Sequence, residues 1–182
     1  MPMSTLGLSL LFGNLPYRFK GLTTIGIIFY LLGVVEFMII TVIVLLRFMF
    51  HKGSFSRSIG KESEAFFLAT FLLSIASMIC GAHTYGHPVE GSRLASTLRV
   101  LFWIYSAAAF TFAVYTYNLV FTKHHLLVPN MTPAWMLPMF PTILSATVGS
   151  IVASTLEPGH SFPILICSFT FQGLGTMTSL LS

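Results

Sequence analysis

The chain has 182 residues, of which 55% are hydrophobic and only 8% charged, and its formal net charge is +4. A soluble domain carries about 25% charged residues, so this composition excludes a water-covered globule and makes hydrocarbon the expected solvent. The charge is spread thinly and includes no aspartate; this excludes the dense basic face of a nucleic-acid partner and leaves contact with lipid headgroups or attraction of anions.

Apolar segments then follow in chain order. The first, about Met3 to Gly13, is too short to cross a bilayer alone, since a span takes roughly 20 apolar residues. It carries Ser9 and Gly13. The second, about Leu22 to Leu46, holds Glu36, the one carboxylate deep in an apolar run. A charge at a helix centre costs about 2.5–3.5 kcal/mol on insertion scales. Glu36 is therefore expected to be protonated, paired or turned to the protein interior. It reads either as a proton-coupling or gating carboxylate or as a carboxyl bonded to a neighbouring helix.

The third segment, about Glu64 to His83, contains AFFLATFLLSIASMICG. Its spacing places Thr70, Ser74, Ser77 and Gly81 on one helical face. The fourth, about Leu94 to Phe121, has Trp103 and Tyr105 near its start and Tyr115 and Tyr117 toward its end, and such rings prefer the headgroup level. Arg99 lies near enough to the helix end to snorkel. The fifth, Pro133 to about Leu156, opens on three prolines. Pro133 suits a first helical turn. Pro138 and Pro141 each remove a backbone hydrogen bond and predict a bend. Thr142, Ser145, Gly149 and Ala153 share one face just beyond it. The sixth, from Phe162 onward, carries Ser168, Gln172, Gly175 and Ser179. These stripes have two readings. Small residues let helices approach closely while hydroxyls bond nearby carbonyls, or the hydroxyls line a polar path.

The predicted fold is all-α: one multi-pass membrane bundle of five or six helices over residues 1–182. Arg47, Lys52, Arg57, Lys61 and Lys123 make the second and fourth loops the more basic. The positive-inside rule then puts those loops and the N-terminus in the cytoplasm. Cys80 and Cys167 lie in apolar runs and read as small buried residues. His83 with His87, and His124 with His125, flank the fourth segment and so fall on opposite sides of the membrane. They cannot share a metal, and no metal, cofactor or catalytic residue is expected.

Several stretches also carry a resemblance. MTPAWMLPMFPTILSATVGSIVAS, FPILICSFTFQGLGTMTSLLS, TLGLSLLFGNLPYRFKGLTTIG and FFLATFLLSIASMICG, together with LRVLFWIY and FTKHH, cover nearly the whole chain in order. They resemble the tellurite-resistance/dicarboxylate transporter family, most of all its fungal C4-dicarboxylate and malic acid transport members. Sulfite efflux pumps and plant slow anion channels belong to the same family. The resemblance implies ten helices in five hairpins about a central pore, with odd-numbered helices inside, and assembly as a homotrimer. It implies a small anionic substrate such as malate, moved across the plasma membrane with proton coupling, or sulfite and inorganic anions in the alternative. Ser9, Thr70, Ser74, Ser77, Thr142 and Ser145 become the pore-lining candidates, and Pro138 and Pro141 the inner-helix bend. Relatives commonly carry a proline where this chain reads FFLATF. The family's helices seven to ten, with the pore-plugging phenylalanine of the ninth, have no counterpart, so the chain is expected to be incomplete at both ends. A truncated scaffold that does not transport is the competing expectation.

Overall fold

The computed structural model describes residues 2–15, 21–50, 62–86, 93–123 and 137–181, and their regular structure is helical throughout. The helices are α1 (Pro2–Asn14), α2 (Leu22–Phe50), α3 (Glu62–Gly86), α4 (Arg93–Lys123), α5 (Phe140–Ala153) and α6 (Pro158–Leu181). The apolar stretches Leu22–Arg47, Leu68–Gly86 and Arg93–Asn118 are each long and apolar enough to cross a membrane. α1, with 13 residues, is about 20 Å long and shorter than a hydrocarbon core of about 30 Å. The chain is a multi-pass membrane bundle.

Local sequence explains where the helices start. Gly21 has φ 107°, a left-handed conformation that a side chain rarely adopts, and its carbonyl accepts the Ile25 N–H at 3.0 Å to open α2. The prolines of the fifth segment fall at a change of winding. Residues 137–139 form a 3₁₀ turn that contains Pro138, and α5 proper starts at Phe140 with Pro141 in its first turn. A proline costs little there, because first-turn N–H groups have no helical acceptor. The sixth helix begins at Pro158, a turn earlier than the sequence suggested, and keeps Pro163 inside. Glu157 anchors that start, its carbonyl accepting the N–H groups of His160 and Ser161, both at 2.9 Å.

The helices form three hairpins, α1 with α2, α3 with α4, and α5 with α6. α1 also packs on α3, and α3 on α5, so the odd-numbered helices make a continuous row. Each even-numbered helix lies behind its hairpin partner, and α4 also covers α5. Direction follows from pairs of contacts. Tyr30 reaches the Met78 carbonyl while Phe37 stacks on Phe71, so α2 and α3 are antiparallel. Gly149 faces Ser168 while Gly175 faces Ile143, so α5 and α6 are antiparallel too. α4 and α6 meet through side chains: Ser106 Oγ lies 3.8 Å from Cys167 Sγ, and Phe110 stacks on Phe171 with centroids 5.5 Å apart.

The core sits where α3, α4, α5 and α6 converge. It contains Ile79, Cys80, Leu98, Phe102, Tyr105, Val148, Val152 and Ile164. Glycines set the closest approaches. At Gly33 a Cβ would collide with Leu6, and at Gly81 with the Tyr30 ring. The outward faces of the even helices are apolar. α2 exposes Ile28, Leu31, Val35, Ile39 and Ile43, and α4 exposes Val100, Ile104 and Val114. Such continuous apolar faces are a liability in water and a requirement in lipid.

Candidate functional site

The hydroxyl stripes divide into two sets once their neighbours are known. On α5, Thr142 and Ser145 are 2% and 0% exposed. Gly149, one and two turns further along the same face, abuts Phe102 of α4 and Ser168 of α6. Tyr105 of α4 donates its hydroxyl proton to the Pro141 carbonyl at 2.8 Å on this side of the helix. The stripe of Thr142, Ser145 and Gly149 therefore faces α4 and α6. Ser145 Oγ donates to the Thr142 carbonyl at 2.6 Å, and Thr142 Oγ1 lies 3.8 Å from Met139 Sδ. Ser168 is buried opposite and donates to the Ile164 carbonyl at 2.7 Å.

Ser9 is also a junction residue. It is fully buried, and its Oγ reaches the Gly26 carbonyl at 3.1 Å and the Tyr85 hydroxyl at 3.2 Å. The Tyr85 hydroxyl in turn donates to the Ser9 carbonyl. One tyrosine thus ties α1 to α3, and Ser9 ties α1 to α2. On α3, Ser74 is buried and donates to the Thr70 carbonyl at 3.0 Å. Thr70 and Ser77 are half-buried, and Ser77 Oγ donates to the Leu73 carbonyl at 3.1 Å. Among the described residues no buried side-chain nitrogen or oxygen lacks a partner.

The open face of α5 is the one opposite Gly149. It carries Phe140, Thr147 and Ser150, with Ser154 at the C-cap, all exposed. The sequence reading passed over this second stripe. The signal was present: Thr147, Ser150 and Ser154 recur at i, i+3 and i+7, with no glycine or alanine among them. A hydroxyl stripe mixed with Gly and Ala suits close helix contact; one without them leaves its hydroxyls room. Ser150 and Ser154 donate back to the carbonyls of Thr147 and Ile151, at 2.9 and 2.7 Å. A hydroxyl bonded in this way shows acceptor lone pairs to its surroundings, and must rotate before it can donate to an anion.

Glu36 is half-buried on α2 against α1. Its Oε2 accepts from Thr5 Oγ1 at 3.1 Å, a hydroxyl that also lies 3.0 Å from the Pro2 carbonyl. The carboxyl therefore has a partner on the neighbouring helix. His83 reaches from α3 toward α5, its Nε2 lying 3.3 Å from Thr155 Oγ1 of the α5–α6 link. His87, His124, His125, Pro133, Trp135, Lys52, Arg57 and Lys61 lie outside the described residues. Cys80 is buried and Cys167 half-buried, and both are free.

This architecture has close sequence company. The SLAC1 family, described as a voltage-dependent anion channel, matches residues 1–182. The chain is 34% identical over 180 residues to the malic acid transport protein of Schizosaccharomyces pombe, covering 98% of this chain and 41% of that protein. It is 29% identical over 161 residues to the sulfite efflux pump SSU1 of Arthroderma benhamiae, covering 87% of this chain and 43% of the pump. The Trichophyton rubrum SSU1 pump is 28% identical over 161 residues, with the same coverage on both sides. The chain thus spans well under half the length of these relatives, and no solved structure matches it. The match along its full length, on a bundle of helical hairpins whose odd members form one row, makes the chain a member of the SLAC1 anion channel family.

Proposed function

We propose that this chain forms part of a path for small anions, with malate and related C4-dicarboxylates as the principal substrates. The observation that carries the proposal is its 34% identity, along 98% of its length, to a malic acid transport protein. The chemistry of the inner row agrees. A path for a doubly charged anion needs donors without fixed negative charge, and the chain has no aspartate and a net charge of +4. We assign the path to the exposed Thr147 and to Thr70 and Ser77, which share the face that Gly81 turns to Tyr30 of α2 but, unlike Ser74, are only half-buried there. We assign Ser9, Ser74, Thr142 and Ser145 to the contacts that hold the hairpins together. Ser77 meets the anion by exchanging its bond to the Leu73 carbonyl for a charge-assisted one. The exchange releases a bond worth about 1 kcal/mol, so the anion is held weakly enough to leave.

The finer parts of the proposal are a plasma-membrane location, a cytoplasmic N-terminus, assembly as a homotrimer and proton coupling through Glu36. Sulfite efflux is the second reading, favoured by the identity to SSU1 pumps. The test is uptake of labelled malate by cells expressing the protein, with sulfite as competitor. Ser77→Phe and Thr147→Phe are expected to abolish uptake while the protein still reaches the membrane. Unchanged uptake in both variants removes the path assignment. Absence of malate and sulfite movement altogether leaves a scaffold.

A further inference from the structure

Outside the inner row, the seam between α4 and α6 opens into a groove of about 340 Å³ lined by Arg99, Val100, Trp103, Ile104, His160 and Pro163. Its position is set by the chain. Arg99 is six residues from Arg93 at the start of α4, hence about 9 Å along the axis. If Arg93 meets water, that depth lies just beneath the headgroup region, which is about 5–7 Å thick on each side. His160 stands in the first turn of α6 and is exposed. Below the groove, the Ser106–Cys167 contact and the stacked Phe110 and Phe171 close the seam.

Among the described residues, no group answers the charge in this groove. Arg99 is half-buried and makes no hydrogen bond or ion pair among the described residues. The nearest carboxylate in sequence to the groove, Glu157, is exposed at the start of α6 and forms no ion pair with it. A guanidinium beside apolar walls and low in the interface calls for an anion that brings its own apolar tail. Val100, Trp103 and Ile104 are 53%, 44% and 61% exposed and supply apolar contact beside the charge. α6 exposes Phe162, Ile166 and Phe169 along the same outer surface.

We propose that this groove binds an anionic glycerophospholipid. The phosphodiester pairs with the Arg99 guanidinium, which matches phosphate geometry with two parallel N–H donors. An imidazole N–H of His160 is the second donor, the Trp103 ring lies at the glycerol level, and an acyl chain runs down Val100, Ile104 and Pro163. A net negative headgroup is preferred because none of the groove's described lining residues is a carboxylate that could offset Arg99.

Trp103 is a built-in reporter, since the chain has only two tryptophans. In a Trp135→Phe background, Trp103 fluorescence is measured in phosphatidylcholine vesicles doped with brominated phosphatidylglycerol or brominated phosphatidylcholine. Brominated phosphatidylglycerol is expected to bind about fivefold better, the effect of one cation at the membrane surface. Arg99→Gln is expected to bring the two lipids to parity. Unchanged quenching by brominated phosphatidylcholine in that variant shows that the bundle is intact. Equal quenching by both lipids in the parent overturns the proposal, as does selectivity that survives Arg99→Gln. Trp103 shielded from both lipids also overturns it, and assigns the groove to a second copy of the chain or to another protein segment.

Discussion

Replacing Gly149 with alanine tests the packing of the bundle at its tightest point. A Cβ at this position would overlap Ser168 Oγ and lie 2.9 Å from Phe102 Cε2 and 3.0 Å from Ser168 Cβ. Phe102 is fully buried and Ser168 is 3% exposed, so neither has free space to move into. Overpacking of this kind costs about 1–3 kcal/mol. Alanine also gains about 1 kcal/mol over glycine from helix propensity, so the variant needs a matched control. Gly173 on α6 provides one, because a Cβ there would meet nothing within 4 Å. Gly173→Ala is expected to be neutral or more stable than the parent, and Gly149→Ala to fall below Gly173→Ala by the overpacking cost, about 1–3 kcal/mol. Unfolding of the two variants by denaturant in mixed micelles, followed by helical circular dichroism, measures the gap. Adding Ser168→Gly to Gly149→Ala removes the serine obstacle and is expected to narrow it, as contacting residues couple. Equal midpoints for the two alanine variants would refute the reasoning.

Other outcomes follow from single contacts. Tyr105→Phe removes the bond to the Pro141 carbonyl at a 2% exposed position, and is expected to cost about 1 kcal/mol in the same unfolding assay. Tyr85→Phe cuts the tie between α1 and α3 and is expected to cost a similar amount, about 1 kcal/mol, with faster proteolysis of α1 as the local sign. Glu36→Gln keeps an acceptor for Thr5 and is expected to leave stability within about 0.5 kcal/mol. If Glu36 couples protons, the same variant loses the pH dependence of malate uptake, and retained pH dependence removes that role.

Much of the fold was legible because hydrocarbon imposes a simple rule: backbone groups must be satisfied internally, so long apolar runs become helices. The segment from Leu22 shows this, emerging as one helix to Phe50. The row of odd-numbered helices was legible only through family resemblance, since spacing along one helix does not say which neighbour it meets. The site was harder to read. Thr142, Ser145 and Gly149 form a clear stripe, but a stripe gives a face and not its direction, and here Phe102 and Ser168 occupy that side. Thr147, Ser150 and Ser154 lie on the opposite face, unmarked by any glycine or alanine. Arg99 was placed near a helix end by its position in α4, but its groove also needs His160 and Pro163, some 60 residues on in sequence.

The central claim is that the row of odd-numbered helices leaves some hydroxyls open to water while others are sealed between helices. Labelling of single cysteines by a water-borne, membrane-impermeant thiol reagent tests it most directly, in a background where Cys80 and Cys167 are alanine. With the protein assembled in vesicles and the reagent present on both sides, Ser77→Cys and Thr147→Cys are expected to label, and Ser9→Cys and Ser145→Cys to stay protected until the bundle is unfolded. Labelling of Ser145→Cys in the folded protein, with Ser77→Cys and Thr147→Cys unreactive, contradicts the account.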